Sequence, residues 1–317
     1  MKFQSFLNLS GVEFQHMCGI VGLFAKSCEI EAELGGHLAA MLTQLSDRGP
    51  DSSGVAIYRN PAPSGSCKLT LFSADPDEDW NGLGADLRTA FNDCSTPVVH
   101  ASHAVVAVEA DAKDVEAWLK DVMPHLRVMS AGQGIELFKE TGRPEQFVAR
   151  FGLTGMQGSH ALGHTRMATE SRVTTEGSHP FSTGLDLCLV HNGSLSNHNR
   201  LRERLRREGI GFKTENDTEV AAGYLTWRLR EGAVLKQALE DCLEALDGFY
   251  TFLVGTAHGF AVLRDPIACK PAVIAESEEW VAMASEWRAI AVLPGAAQAR
   301  MWEPEPAVVY AWERALV

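Results

Sequence analysis

The sequence predicts a layered body of sheets and helices, α+β or α/β, with an inserted segment that has its own strands and helices. Three observations set this expectation. Short β-rich apolar runs come in several groups, with helical patterns between them. A stretch from about 75 to 157 repeats that mixture and carries little obvious chemistry. The 317 residues are 45% hydrophobic and 22% charged, a globular balance that fits one large domain or two modest ones.

The elements follow in order. CGIVGLF, from Cys18, is short, apolar and glycine-punctuated, as a buried strand is. Leu34, Leu38, Met41, Leu42 and Leu45 recur at helical spacing, and the helix stops at Asp47-Arg48-Gly49-Pro50. Val55–Tyr58 and Lys68–Phe72 read as strands around the loop NPAPSGS. Inside the inserted segment, Val98–Val108 is strand-like and Asp114–Leu126 helical. Arg127–Met129 and Ile135–Phe138 read as short strands, and Pro144 opens a helix through Phe147, Val148 and Phe151. The segment is expected to be a scaffold or a partner-docking module. Further on, His160–Thr165 and Leu185–His191 are strands, and Asn199–Glu208 is a basic helix closed by Gly209. Asp217 stands at the N-cap position of a helix to about Glu231, and Val234–Ala245 is another helix. Strands follow at Phe249–Gly255, Phe260–Leu263, Ala272–Ile274 and Trp280–Ala284, with a last one near Ala307–Trp312. No internal repeat or low-complexity segment is evident.

A formal net charge of -13 and a pI near 5.3 argue against a nucleic-acid partner and against docking on an anionic membrane. No apolar run approaches the roughly 20 residues of a membrane helix. The seven cysteines, at 18, 28, 67, 94, 188, 242 and 269, show neither CxxC pairs nor Cys/His metal spacing. Their odd count and scatter suit a reducing cytoplasm, so the expectation is a cytoplasmic protein without a metal site. Residues 1–17 lack the apolar core and cleavage site of a secretory signal. They read as a leader that is removed, either a propeptide or a start assigned too early, with Met17 as the initiator; the second is favoured.

Cys18 directly follows Met17. Most lone cysteines are buried and inert. A cysteine that becomes residue one carries its own general base, an α-amine with a pKa of about 7.7–8.0. Met-Cys-Gly-Ile-Val-Gly resembles the opening of the class II, N-terminal-nucleophile (Ntn) glutamine amidotransferases. Four further blocks stand in that family's order: Asp47-Arg48-Gly49-Pro50-Asp51-Ser52, Gly163-His164-Thr165-Arg166-Met167-Ala168-Thr169, His191-Asn192-Gly193-Ser194-Leu195 and Asn216-Asp217-Thr218-Glu219. The resemblance covers roughly Cys18 to Ile274, outside the inserted segment. It implies a four-layer αββα Ntn-hydrolase sandwich of the α+β class, over 18–317, interrupted at about 75–157.

The resemblance also implies a glutaminase. A thiolate attacks the glutamine amide, and a thioester divides the barrier in two. The Asn192 side-chain amide and the Gly193 N–H correspond to the oxyanion hole; in isolation Asn-Gly would read as a hairpin turn. Arg166 corresponds to the forked cation for the α-carboxylate, and Asp217 to the partner of the α-ammonium. Arg48 corresponds to the residue that orders the N-terminus, with a turn role as the alternative. Thr169 and the pair Ser182-Thr183 are weaker candidates for glutamine contacts. His164 and His191 read as packed histidines rather than a Cys–His dyad or metal pair, because the α-amine already supplies a base. Met167 and Glu170 depart from residues found in some relatives, so details of ammonia relay do not carry over.

Little beyond a glutaminase fits in this length, so the acceptor chemistry is expected on another polypeptide. Arg127–Gly132, Asn216–Trp227 and Leu263–Val273 resemble the separate glutaminase-type component of N-methylglutamate synthase and other glutamate-synthase-like complexes. This implies glutamine as substrate, ammonia or an amine-exchange step passed to a synthase subunit, and FMN on a partner with no cofactor in this chain. Two alternatives stay open: a catalytically quiet scaffold subunit of the same complex, and a stand-alone Ntn amidase.

Overall fold

The computed structural model describes residues 18–167 and 173–314. The leader assigned to residues 1–17, together with Thr169 and Glu170, lies outside them. Among the described residues there are sixteen strands and nine α-helices.

Seven strands form the first sheet, in the order β15 (Arg300–Trp302), β13 (Val273–Glu276), β14 (Trp280–Ala284), β1 (Gly19–Ala25), β8 (His160–Arg166), β2 (Ser52–Tyr58) and β7 (Ile135–Thr141). Five form the second: β16 (Val309–Glu313), β12 (Gly259–Arg264), β11 (Gly248–Thr256), β10 (Leu187–Leu195) and β9 (Phe181–Gly184). All these pairings are antiparallel.

Period-two alternation sorts the apolar residues into layers. In β1, Ile20 and Phe24 face the second sheet, where they join Leu162, Val190, Leu253, Val262 and Met283. Val21 and Leu23 face the other way, onto a core with Leu34, Leu38, Leu42, Phe147, Phe151 and Ile290. Those residues come from helices α2 (Leu34–Thr43), α5 (Pro144–Phe151) and α9 (Trp287–Ile290), with α1 (Cys28–Ala32) alongside. On the far side of the second sheet, Leu189, Phe252 and Leu263 pack against helices α6 (His198–Arg207), α7 (Asp217–Arg230) and α8 (Leu235–Ala245). The result is the four-layer αββα sandwich. The central strands are buried on both faces, which is why β1, β2 and β8 are continuous buried runs rather than half-polar strands.

A third sheet, in the order β4 (Val98–His100), β5 (His103–Val108), β3 (Cys67–Phe72) and β6 (Arg127–Gly132), packs with α3 (Trp80–Ala90) and α4 (Ala112–Val122) around its own core. Its span, 67–132, differs from the expected 75–157. β7 pairs with β2 along its whole length, and Phe147 and Phe151 of α5 enter the core beneath α2. A strand pattern shows that a segment pairs but not with what, so β7 and β6 look alike in sequence. The run Val98–Val108 is a hairpin rather than one strand, turned at Ala101 with a positive φ of 53°. No described helix is long and apolar enough to cross a membrane.

Candidate active site

The site forms where β1, β8, β10 and the start of α7 meet. Cys18 immediately precedes β1 and is half-buried. Its carbonyl accepts two hydrogen bonds, from Arg48 Nε at 3.3 Å and Asn192 Nδ2 at 3.1 Å. The turn after α2 and strand β10 therefore converge on one peptide unit. Arg48 is held from its other end by an ion pair with Glu286, which also pairs with Arg288. Ile20 is fixed by two bonds to Ser285, through its amide to Ser285 Oγ at 2.9 Å and through its carbonyl to the Ser285 N–H at 2.9 Å.

Burial pushes the Cys18 thiol above its usual value; the Met167 backbone, Arg166, Lys270 and Arg48 pull it back down. Three cations thus act on the sulfur without overcoming its burial. A thiol so placed needs a base to become a nucleophile.

Asn192 and Gly193 lie in β10, opposite Thr251 and Tyr250 of β11. Asn192 is buried, and its amide nitrogen keeps a second hydrogen for an incoming oxygen. Gly193 has φ 151°, and a Cβ there would stand 1.9 Å from the Phe249 carbonyl and 2.8 Å from His191 Nε2. No other residue fits without moving β11.

Arg166 ends β8 and donates from Nη1 to the Gly177 carbonyl at 3.2 Å. The same carbonyl accepts from Asn216 Nδ2 at 3.5 Å, so Gly177 ties Arg166 to the entry of α7. Asn216, not Asp217, caps that helix: its Oδ1 accepts from the Thr218 N–H at 2.8 Å. Asp217 occupies the first helical position, where a negative charge is favoured by the helix dipole. Asx residues at 216 and 217 both satisfy the sequence signature of a cap, which explains the one-residue difference. Asp217 Oδ2 accepts from the Leu195 N–H at 2.9 Å, and its Oδ1 lies 3.7 Å from His191 Nδ1. Burial opposes the Asp217 charge; His191, the Leu195 amide and His198 outweigh it and hold the carboxyl at about 2.

His164, His179 and His191 gather around Thr218. His164 stacks on His179 with ring centroids 4.1 Å apart. His179 Nε2 and His191 Nδ1 reach Thr218 Oγ1 at 3.2 and 3.0 Å. Burial depresses His164 to about 3 and His179 well below its usual value, so both are neutral packing groups. Among the described residues no group of three or more His, Cys, Asp or Glu side chains could hold a metal ion.

The structure thus brings Cys18, Arg48, Asn192, Gly193, Arg166 and Asp217 to one region. It does not bring Ser182 and Thr183 there by any described contact: the Thr183 hydroxyl pairs with Thr226 of α7 at 2.7 Å and Ser182 turns back to the Gly184 carbonyl at 3.4 Å. Sequence reading missed Lys270, Glu286, Ser285 and His179. Lys270 lies in the stretch 263–273 but outside the five ordered blocks, the other three lie in no named stretch, and the fold gathers them.

Comparison with known proteins shows the family. A family model described as a glutamine amidotransferase domain matches residues 164–292. A glutamine amidotransferase-like protein, GlxB, of Rhizobium meliloti is 56% identical over 298 residues, covering 94% of this chain and 98% of the relative. A putative glutamine amidotransferase of Methanothermobacter thermautotrophicus is 30% identical over 285 residues, covering 85% of this chain and 92% of its own length. The solved structure of glutamine phosphoribosylpyrophosphate amidotransferase from B. subtilis superposes with a TM-score of 0.58 at 20% identity. That alignment covers 93% of this chain and about half, 49%, of the other, and the likeness is one of fold.

Proposed function

This chain belongs to the glutamine amidotransferase family, and from that premise we propose that it hydrolyses glutamine with Cys18 as the nucleophile. The observation that carries the reading is the convergence of Asn192 and Arg48 on the Cys18 peptide, with Arg166 and Asp217 joined through Gly177 and Asn216 at the same place. With Met17 removed, the freed α-amine takes the thiol proton. Cys18 Sγ then attacks the side-chain carbonyl of glutamine, whose oxyanion receives the Asn192 amide and the Gly193 N–H. The C–N bond breaks, the amide nitrogen leaves as ammonia with that proton, and a thioester remains. Water hydrolyses it to glutamate and restores the thiol. Arg166 holds the α-carboxylate and Asp217 the α-ammonium; a carboxyl kept at about 2 is charged throughout the physiological range. Thr169 is a further candidate contact.

The ammonia, or an amine-exchange product, is passed to a synthase subunit in the cytoplasm. The finer assignment we favour is the glutaminase-type component of an N-methylglutamate synthase or glutamate-synthase-like complex, supported by the stretches 127–132, 216–227 and 263–273. FMN would be carried by a partner. The test is glutamine hydrolysis by the native protein and by Cys18→Ala, alongside a panel of other amides. Loss of glutamate release in the variant and selectivity for glutamine are expected. Equal activity in both would leave a scaffold subunit, and preference for an amide lacking the amino-acid end would leave a different Ntn amidase.

A further inference from the structure

Lys139 lies in β7, only 4% exposed, and among the described residues its ammonium has no carboxylate within hydrogen-bond reach. It donates to three backbone carbonyls: Glu176 at 2.9 Å, Ser178 at 2.8 Å and Pro180 at 3.2 Å. An ammonium has three hydrogens, so its donors are all used. The Phe181 ring lies 4.3 Å from the same nitrogen. A buried ammonium held by carbonyl dipoles and a ring is costly, and an apolar side chain of similar length would fill the space at less expense. Something other than packing has to explain the charge.

The explanation lies in what these carbonyls carry. Between Glu176 and Ser178 stands Gly177, whose own carbonyl receives Arg166 Nη1. Between Ser178 and Pro180 stands His179, which reaches Thr218 beside Asp217. The next residue of β7, Glu140, takes the loop at its start, accepting from Thr175 Oγ1 at 2.6 Å. Gly54 lets the loop lie flat on the sheet: a Cβ there would stand 2.1 Å from the His179 carbonyl and 2.7 Å from Lys139 Cβ. The loop is thus pinned to β7 at 175, 176, 178 and 180, while Gly177 contacts Arg166 and His179 contacts Thr218, the neighbour of Asp217.

We propose that Lys139 is a positioning residue of the glutamine site, clamping loop 174–180 so that the Gly177 carbonyl orients Arg166 toward the substrate carboxylate. The proposal rests on the glutamine reading of Arg166. Glu219, Lys213, Glu176 and Arg166 are the charged groups that face the ammonium; burial, ahead of them, brings it down to about 7. The clamp acts through binding geometry and touches neither the thiol nor the oxyanion donors, so its loss is read in KM.

The experiment compares wild type with Lys139→Met in the native protein, with Cys18 as its first residue, measuring kcat and KM for glutamine, glutamine affinity by calorimetry and thermal stability. The expected result is a KM and dissociation constant raised at least tenfold, with kcat within about threefold. A lowered Tm with unchanged KM and affinity overturns the proposal, because it is what a purely structural lysine would give. If Lys139→Met does not fold, Lys139→Gln keeps two N–H donors without the charge; a severalfold rise in KM is expected there, and an unchanged KM overturns the proposal equally. A wild type that neither binds nor hydrolyses glutamine, with or without its partner subunits, refutes the glutamine reading itself.

Discussion

Asp217→Asn separates charge from shape at the substrate end of the site. The amide still accepts from the Leu195 N–H but cannot carry a charge. In the native chain the carboxyl moves from 3.8 to about 2 on folding, against its own burial, because His191, the Leu195 amide and His198 favour the anion. The side chain is 23% exposed, so solvent screening removes only part of this. At about 1.4 kcal/mol per pH unit, the charge contributes ~2 kcal/mol to stability. Because the folded value is the lower one, that contribution is complete above 3.8 and is lost as pH falls toward 2. Urea denaturation of both proteins should therefore show the variant less stable by ~2 kcal/mol at neutral pH, with the gap closing toward about pH 2. The same substitution removes the anion proposed to pair with the substrate ammonium. A charge-assisted hydrogen bond is worth roughly 1.5–3 kcal/mol, so KM for glutamine should rise by about 10–100-fold. A stability gap that does not change with pH would refute the charge account. A KM within about twofold of wild type would refute the ammonium role.

Other substitutions test the remaining parts of the site. Asn192→Ala should lower kcat by about 10²–10³-fold with little change in KM, because its donor matters most once the oxyanion forms. Gly193→Ala should abolish activity and destabilise the fold by several kcal/mol in denaturant titrations, since its Cβ would overlap the Phe249 carbonyl at 1.9 Å. While residues 1–17 remain attached, iodoacetamide at about pH 8 should modify exposed Cys28 and Cys269 before Cys18, whose thiol is raised by burial. Peptide mapping would read the order of labelling, and Cys18 reacting first would contradict that environment.

The layered body was legible because its strands are short, apolar and bounded by turns, and because helix α2 repeats leucines at helical spacing. Trp280–Ala284 was bounded in the sequence as it is in the fold. The separate sheet was legible as an extra module, but its borders were not: only pairing assigns β7 to the large sheet, and pairing is nonlocal. Short elements such as β15 and α9 carry too few residues for a period to show. At the site, residues in the ordered blocks could be named from the sequence, whereas Lys139, Lys270 and Glu286 could not. Each is an ordinary charged residue in an ordinary strand or loop, and becomes distinctive only when the fold buries Lys139, sets Lys270 near Cys18 and pairs Glu286 with Arg48.

The central claim is that Cys18, freed as residue one, is the nucleophile. Intact mass and N-terminal sequencing of the native protein, followed by mapping of the adduct formed with an electrophilic glutamine analogue, test it most directly. The account predicts a chain beginning at Cys18 and a single adduct on its sulfur, formed with loss of glutaminase activity. An active protein that begins upstream of Cys18, or inactivation with the label on another residue, would contradict it.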